Sequence, residues 1–205
     1  MSKKVKAKYL LLILLPYLIF YFFIQSAITS GYNFLTEFDE LIPFVPEFIW
    51  IYHTILPIIV LTVVSLIEKK EVFFTAIAGF LFAALITSAF YVFLPASYPR
   101  DAYIDSSTSG YLVELTRIID GPSNTFPSSH VTFAWLTVLF VGLSKYANTC
   151  KWVRPAYFFW ALLISVSTLV LKQHFIIDVF SGIALALICY YLGKRLIFER
   201  MLTTN

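Results

Sequence analysis

The stretch VFFTAIAGFLFAALITSAFYVFL, residues 72–94, decides the fold, because it carries no charged residue and is long enough to cross a lipid bilayer. A membrane-spanning helix needs about 20 consecutive, mostly apolar residues. Further apolar segments lie on both sides of this stretch, at about 9–28, 48–67, 129–143, 155–171 and 175–192. The sequence therefore predicts an all-α fold, a polytopic membrane helix bundle with about six transmembrane helices.

The composition excludes several other classes of protein. Of the 205 residues, 60% are hydrophobic and only 13% are charged, whereas a soluble domain is nearer half apolar and a quarter charged. This excludes a disordered chain, a nucleic-acid-binding domain and a disulfide-stapled secreted module. The predicted spans leave no room for a separate soluble domain. We therefore expect one integral membrane domain over residues 1–205 and no nucleic-acid partner.

Lysine and arginine are distributed unevenly between the two sides that these segments define. All but three of the 15 lie in the N-terminus, the 68–71 turn, the 145–154 loop or the C-terminal tail. The exceptions are Arg100, Arg117 and Lys172. Cytoplasmic loops of membrane proteins carry an excess of basic residues. The pattern predicts that both termini are cytoplasmic, that the three exceptions lie on the outer side, and that the protein is a multi-pass protein of the plasma membrane.

Two of the three histidines open helices on that outer side. The sequence NTFPSSHVTFAW, residues 124–135, places His130 directly after Pro127, Ser128 and Ser129. The sequence KQHFIIDVFSG, residues 172–182, places His174 four residues before Asp178. Because both helices start on the same side of the membrane, the two histidines are expected at similar depth. Arg100, at the expected end of the third helix, lies on that side too.

These residue types suit phosphoryl transfer. Residues four apart share one helix face, so a carboxylate there can hold one imidazole nitrogen as N–H and make the other more basic. A histidine at a helix N-terminus lined by hydroxyls can protonate a leaving oxygen beside a bound anion. We expect three catalytic residues, His174, His130 and Asp178. We expect four phosphate-binding residues, Arg100, Lys172, Ser128 and Ser129.

Other polar residues have simpler interpretations. His53, inside an apolar segment, is expected to be an interhelical hydrogen-bond partner, because a buried polar group needs a partner. Arg117 and Glu114 are interpreted as a solvated pair in a long polar loop that runs from about residue 95 to 128. Asp120 is interpreted as a loop acid that caps or turns.

Over about residues 94–193 the chain resembles the type 2 phosphatidic acid phosphatase family of integral membrane lipid phosphatases and phosphotransferases. The family's Pro-Ser-Gly-His signature corresponds to Pro127–His130, with serine in place of glycine. Its third signature keeps Ser167, His174 and Asp178 at the right spacing. The resemblance implies a phosphohistidine mechanism in which His174 is the nucleophile, Asp178 orients it and His130 is the general acid. It implies no metal or other cofactor.

Two of the family's phosphate-binding cations are replaced here. Thr168 stands at the position of the third-signature arginine, and Phe93 at that of the first-signature lysine. Arg100 is followed by Asp101 instead of proline, and Lys172 is a candidate replacement for a missing cation. The pattern is similar to a divergent branch that includes sphingomyelin synthases and inositol phosphorylceramide synthases. Those enzymes transfer a phosphoryl headgroup to a lipid alcohol.

The resemblance thus implies a metal-independent lipid phosphatase, and the distribution of basic residues predicts that it acts at the outer membrane face. The resemblance implies a lipid phosphate substrate of the phosphatidic acid or polyprenyl diphosphate class, presented among the membrane lipids. Three alternatives stay open. The chain could be a lipid phosphotransferase, a zinc-dependent membrane hydrolase with His130, His174 and Asp178 as ligands, or a non-catalytic membrane protein.

Overall fold

The computed structural model describes residues 1–100 and 106–198, and helices dominate this part of the chain. Asp101, Asp105 and Arg200 lie outside the described residues. The α-helices are α1 (Lys3–Ala27), α2 (Glu37–Leu41), α3 (Ile49–Tyr52), α4 (Ile55–Leu61), α5 (Lys70–Phe93), α6 (Thr108–Ile119), α7 (Ser129–Val141), α8 (Lys145–Thr149), α9 (Val153–Val170) and α10 (Ile176–Gly193). A 3-10 turn, Pro46–Phe48, precedes α3, and π-type turns follow α4 at Thr62–Leu66 and α10 at Lys194–Phe198.

Five apolar helical stretches are long enough to cross a membrane, and one shorter apolar helix accompanies them. The five are Lys3–Ala27, Pro46–Leu66, Lys70–Phe93, Val153–Val170 and Ile176–Ile197. The second of them is a composite of the 3-10 turn, α3, α4 and the π-type turn. The shorter helix is α7, with 13 residues. These stretches match the six predicted segments, so the all-α membrane bundle is confirmed, and the cytoplasmic placement of both termini stays a prediction.

Helix α7 lies at the centre of the bundle, where it packs against α4, α5, α9 and α10. Residues all around it are fully buried, among them Val131, Ala134, Leu136 and Phe140. A helix that is apolar on every face is typical of a core position. Because α7 is surrounded by protein, it does not need the length of a lipid-facing helix.

Helix α10 approaches the start of α7 most closely at Gly182. A Cβ atom at this glycine would lie 2.9 Å from the carbonyl oxygen of Ser128 and 3.1 Å from Cβ of Val131. The Thr132 hydroxyl lies 2.8 Å from the Ser128 carbonyl oxygen and 3.1 Å from that of Gly182. The Ser128 N–H donates to the carbonyl oxygen of Asp178 at 3.1 Å. These contacts fix the starts of the two helices side by side.

The segment expected to be a long polar loop contains an amphipathic helix, α6. Its N-cap is Ser107, whose hydroxyl accepts from the Gly110 N–H. Arg117 therefore lies in a helix, where its guanidinium sits 5.2 Å from the ring centroid of Phe44 and donates to the Leu171 carbonyl oxygen at 3.4 Å. The interpretation of Arg117 as a loop residue is wrong, and its pairing with Glu114 stays a prediction. Polar residues dilute the apolar face of α6, so mean hydropathy does not reveal it.

Arg100 lies beyond the end of its helix, contrary to expectation. Helix α5 ends at Phe93, and Arg100 follows an extended segment that contains Pro95 and Pro99. Proline lacks the N–H that continues a helix and restricts the residue before it. The segment pairs instead with Tyr32, whose N–H donates to the Pro95 carbonyl oxygen at 2.8 Å. This pairing directs the segment toward the ends of α6 and α9, where Arg100 contacts Asp120 and Gln173.

Candidate active site

The structure brings His130 and His174 together, as the predicted topology requires. Their ring centroids lie 6.1 Å apart. His130 belongs to the first turn of α7, and His174 to the short connection between α9 and α10. The close approach at Gly182 explains this proximity, because it joins the starts of α7 and α10.

The contacts of His174 define its tautomer. Its Nδ1 atom lies 2.9 Å from the carbonyl oxygen of Thr125 and 3.2 Å from Oδ2 of Asp178. A carbonyl oxygen and a carboxylate oxygen only accept hydrogen bonds, so Nδ1 must carry the proton. The other ring nitrogen, Nε2, then carries a lone pair. His174 therefore has the tautomer that a nucleophile needs.

Asp178 reaches His174 through a capping turn and not along a helix face as expected. Helix α10 begins at Ile176, two residues after His174, and Asp178 is its third residue. The carboxylate oxygen that contacts His174 also accepts from the Phe175 N–H at 3.0 Å. Asp178 is 0% exposed, so its charge depends on these hydrogen bonds. One carboxylate thus orients both the helix start and the histidine.

A tight turn at the end of α9 positions His174. The N–H of Lys172 donates to Leu169, and the N–H groups of Gln173 and His174 both donate to the carbonyl oxygen of Thr168, at 3.0 and 3.2 Å. Lys172 has a φ of 55°, the left-handed conformation in which glycine is usual. This pattern is a Schellman motif. It reverses the chain within the short polar break that the sequence shows at Lys172, Gln173 and His174.

The Lys172 side chain ties α2 to this reversal. Its ammonium donates to the carbonyl oxygen of Asp39 at 2.7 Å. The Asp39 carboxylate in turn accepts from the Ile176 N–H at 2.7 Å, which caps α10. Lys172 therefore has a structural contact, and its expected role as a phosphate ligand stays a prediction.

Arg100 is held between two parts of the site. Its Nη1 donates to the carbonyl oxygen of Asp120 and its Nη2 to Oε1 of Gln173, both at 2.5 Å. Burial lowers the pKa of Arg100 and the nearby Asp120 raises it, but an arginine keeps its charge in a protein. The guanidinium therefore places a positive charge beside the residue that precedes His174.

Three buried donors next to His174 lack a hydrogen-bond partner within the described part of the chain. They are Nε of Arg100, Nε2 of Gln173 and the Thr125 hydroxyl. A buried donor without a partner costs about 1–3 kcal/mol. Several such donors around one imidazole suit an anion with several oxygen acceptors. Gln173 and Thr125 were missed in the sequence, because neutral donors carry no motif.

The two serines before His130 differ in their surroundings. Ser128 is the N-cap of α7, and its hydroxyl accepts from the Val131 N–H at 3.4 Å. Ser129 lies beside His130 at the wall of a cavity. The start of α7 offers N–H groups that the helix itself leaves unsatisfied. The expected phosphate-binding role of both serines stays a prediction.

An apolar cavity of about 440 Å³ adjoins His130. Helices α1, α3, α4, α6 and α7 form its walls, and His130, Ser129, Tyr52 and Asp120 form one polar end. Its other lining is largely aliphatic and aromatic, and includes Leu14, Leu18, Phe22, Leu56, Ile59 and Phe133. His53 also lines it. The Nε2 atom of His53 lies 2.9 Å from the Thr116 hydroxyl, which is the interhelical hydrogen bond predicted for this histidine.

Asp120 is a site residue that the sequence interpretation missed. It ends α6, and its two carboxylate oxygens accept from the hydroxyls of Tyr21 at 2.6 Å and Tyr52 at 3.3 Å. The Tyr52 hydroxyl lies 3.4 Å from Nδ1 of His130. The signal that could have found Asp120 is its position between α6 and the Pro127–His130 segment, on the predicted outer side.

Metal ligation finds no support in the side-chain arrangement. Among residues 1–100 and 106–198, no three His, Cys, Asp or Glu side chains are grouped so that they could hold a metal ion. His174 and Asp178 contact each other, and Nδ1 of His130 faces Tyr52. The zinc-hydrolase alternative therefore has no ligand set in this part of the chain.

Comparisons with known proteins agree with this architecture. A family model described as the PAP2 superfamily matches residues 34–192, a range that includes every candidate site residue. The crystal structure of Aquifex aeolicus LpxE is similar, with a TM-score of 0.52 at 16% sequence identity. The match covers 87% of this chain and 94% of that chain. At this identity the likeness shows the fold. A search of curated proteins finds no significant match.

Proposed function

The chain belongs to the PAP2 superfamily, and on that premise we propose that it is a membrane lipid phosphatase that works through a phosphohistidine intermediate. The observation that carries this proposal is the state of His174. Its Nδ1–H is held by Asp178 and Thr125, so its Nε2 lone pair is free to attack phosphorus.

In the first step, Nε2 of His174 forms a bond to phosphorus, and the bond from phosphorus to the lipid oxygen breaks. The electron pair of that bond goes to the lipid oxygen, which takes a proton from His130 and leaves as an alcohol. Asp178 stabilises the positive charge that develops on the imidazole of His174. In the second step, water attacks phosphorus and gives a proton to His130. The bond from phosphorus to Nε2 of His174 breaks, its electron pair returns to Nε2, and phosphate and free His174 result.

Arg100, Gln173 and Thr125 hold the phosphate in this proposal. Their unpartnered buried donors would bind its oxygens, and Arg100 supplies a positive charge. Ser128, Ser129 and Lys172 complete the set expected from the sequence. The proposed catalytic core covers about residues 94–193 of a single integral membrane domain.

The cavity beside His130 supports a lipid substrate. His130 would protonate the leaving group, so the leaving group must lie next to it, at the polar end of a cavity whose other walls are largely apolar. A lipid chain is as apolar as these walls, so it could pass from the bilayer into the cavity without burying an unpaired polar group. We propose a substrate of the phosphatidic acid or polyprenyl diphosphate class. The basic-residue distribution supports a site on the extracytoplasmic side of the plasma membrane.

A lipid phosphotransferase is the second candidate. The same cavity could hold a lipid alcohol after the first product leaves, and this alcohol would then attack the phosphohistidine in place of water. The replacement of two family cations by Thr168 and Phe93 favours this reading, because it is similar to the pattern of the transferase branch.

The test is release of phosphate from a panel of lipid phosphates by purified protein in detergent with EDTA. We expect release by the wild type and none by His174→Ala. A variant of an exposed cysteine, Cys150→Ser, is the control and should match the wild type. If no phosphate appears, the panel is repeated with lipid alcohol acceptors, and transfer there would replace the phosphatase proposal by the phosphotransferase one. Wild-type activity in His174→Ala would refute the phosphohistidine mechanism, and loss of activity in EDTA would refute metal independence.

A further inference from the structure

A chain of contacts leads from His130 through Tyr52 to the partly buried carboxylate of Asp120. The Tyr52 ring stacks on the His130 ring, with centroids 4.3 Å apart and an interplanar angle of 29°. The Tyr52 hydroxyl lies 3.4 Å from Nδ1 of His130 and 3.3 Å from Oδ2 of Asp120. Tyr52 is only 2% exposed, so its hydroxyl depends on these partners.

The direction of the hydrogen bonds follows from the carboxylate. An ionised carboxylate only accepts, so the Tyr52 hydroxyl donates to Asp120. The oxygen of Tyr52 can then accept the Nδ1–H of His130. This leaves Nε2 of His130 as the atom that exchanges a proton with the substrate. The distances are long for hydrogen bonds, as is common before substrate binds.

Asp120 is itself held firmly. Its other carboxylate oxygen accepts from the Tyr21 hydroxyl at 2.6 Å, and its carbonyl oxygen accepts from Arg100. Tyr21 belongs to α1 and Tyr52 to α3, so the carboxylate is fixed from two helices. A negative charge fixed near His130 stabilises the positive charge that develops on its imidazole.

We propose that Asp120 and Tyr52 are positioning residues for His130. Tyr52 fixes the His130 tautomer, and Asp120 stabilises, through Tyr52, the imidazolium that protonates the leaving lipid oxygen. This inference rests on the proposed function, because it assigns roles within that reaction. It differs from the His174–Asp178 contact in having a hydroxyl between base and acid.

The intervening tyrosine has an electrostatic consequence. A carboxylate in direct contact with His130 would lie close to the substrate phosphate and repel it. With Tyr52 between them, Asp120 stays near enough to favour the imidazolium and farther from the phosphate. Arg100, which binds the Asp120 carbonyl oxygen, adds positive charge on the same side.

A purely structural role makes a different prediction. Asp120 joins α1, α3 and α6 by hydrogen bonds, so its loss could simply loosen the bundle and slow every substrate equally. A role through the general acid depends on the leaving group. An aliphatic alcohol needs a proton as it leaves, whereas a nitrophenolate leaves readily without one.

The test compares two substrates in the full-length protein. One is an alkyl lipid phosphate, and the other is a nitrophenyl phosphate that carries an alkyl chain on its ring. Tyr52→Phe removes one oxygen atom and keeps the stacked ring, and Asp120→Asn keeps the size of the side chain. General acid catalysis contributes about 10²–10⁴-fold, so we expect kcat on the alkyl substrate to fall about 10–100-fold in each variant. On the nitrophenyl substrate we expect a fall below about 3-fold, because that leaving group needs little acid catalysis.

Tyr157→Phe is the matched control. It also removes a tyrosine hydroxyl that has a partner, at 2.7 Å from the Thr62 hydroxyl, but it lies at the opposite end of α9 from His174. We expect it to match the wild type on both substrates. If Asp120→Asn does not fold, Tyr52→Phe decides the question alone.

The outcomes distinguish a failure of the positioning role from a failure of the proposed function. An equal slowing of both substrates by Tyr52→Phe, or no slowing of either, would overturn the positioning role while leaving the proposed function intact. A wild-type protein that hydrolyses neither substrate would refute the proposed function, and the inference with it.

Discussion

Replacement of Gly182 by alanine should slow catalysis and also destabilise the bundle. The added Cβ would lie 2.9 Å from the Ser128 carbonyl oxygen, 3.1 Å from Cβ of Val131 and 3.3 Å from the Thr132 hydroxyl. All three neighbours are backbone or belong to stiff β-branched side chains, so they cannot move alone. The starts of α7 and α10 must therefore separate by several tenths of an ångström.

The size of the effect follows from what these helix starts carry. Overpacking of a core typically costs about 1–3 kcal/mol of the free energy of unfolding. A misplacement of about 1 Å between reacting groups can cost about 10²-fold in rate. The shift needed here is smaller, so we expect kcat for phosphate release to fall roughly 10-fold. His130 and His174 are the groups that it would separate.

Gly142→Ala is the matched control. Gly142 ends α7 at the other end of the helix, and a Cβ there would meet only two carbonyl oxygens, at 3.3 and 3.5 Å. We expect its thermal unfolding and kcat to stay close to those of the wild type. The measurement is phosphate release and thermal unfolding for both variants. Wild-type kcat in Gly182→Ala, or an equal loss in Gly142→Ala, would contradict the view that the α7–α10 contact sets the distance between the histidines.

Three further substitutions test individual residues. His174→Ala should form no acid-labile phosphoenzyme when it is mixed with a radiolabelled lipid phosphate and rapidly quenched, because the variant lacks Nε2. A labelled variant protein would refute the assignment of His174 as the nucleophile. Asp178→Asn should lower kcat by about 10²-fold or more, since the amide can favour the wrong tautomer of His174, while the circular dichroism spectrum stays unchanged; normal kcat would make the contact merely structural. Lys172→Gly should stabilise the protein or leave its stability unchanged, because glycine relieves the positive φ of 55° but loses the contact to Asp39. A rise in KM in this variant with normal folding would support Lys172 as a phosphate ligand.

The parts of the structure that the sequence predicts are those with a local signal. The uncharged stretch 72–94 marks a span by itself, and the polar breaks before His130 and His174 mark helix starts. The pairing of His174 with Asp178 follows from their separation of four residues, although a capping turn and not a shared helix face brings them together. Each of these signals lies within one turn or one helix.

The parts that the sequence did not predict depend on distant contacts. Helix α6 is amphipathic, but its polar residues keep the mean hydropathy of its segment low. Asp120 becomes a site residue because Tyr21 and Tyr52, from two other helices, donate to it. Arg100 reaches the site through an extended segment that pairs with Tyr32. No short sequence pattern predicts these contacts between residues that are far apart in the chain.

Arg100 is our proposed substitute for the missing family cations. At the position of the third-signature arginine, Thr168 uses its carbonyl oxygen to close the turn before His174, and its hydroxyl donates to the Ser165 carbonyl oxygen at 2.7 Å. Arg100 enters from a different segment and is fixed by Gln173 and Asp120. One partly buried guanidinium with neutral donors around it can bind an anion, because a lower local dielectric strengthens each electrostatic contact. Arg100→Lys should therefore raise KM even though it keeps the charge, since a lysine cannot reproduce the two-pronged contact. An unchanged KM in that variant would mean that other residues bind the phosphate.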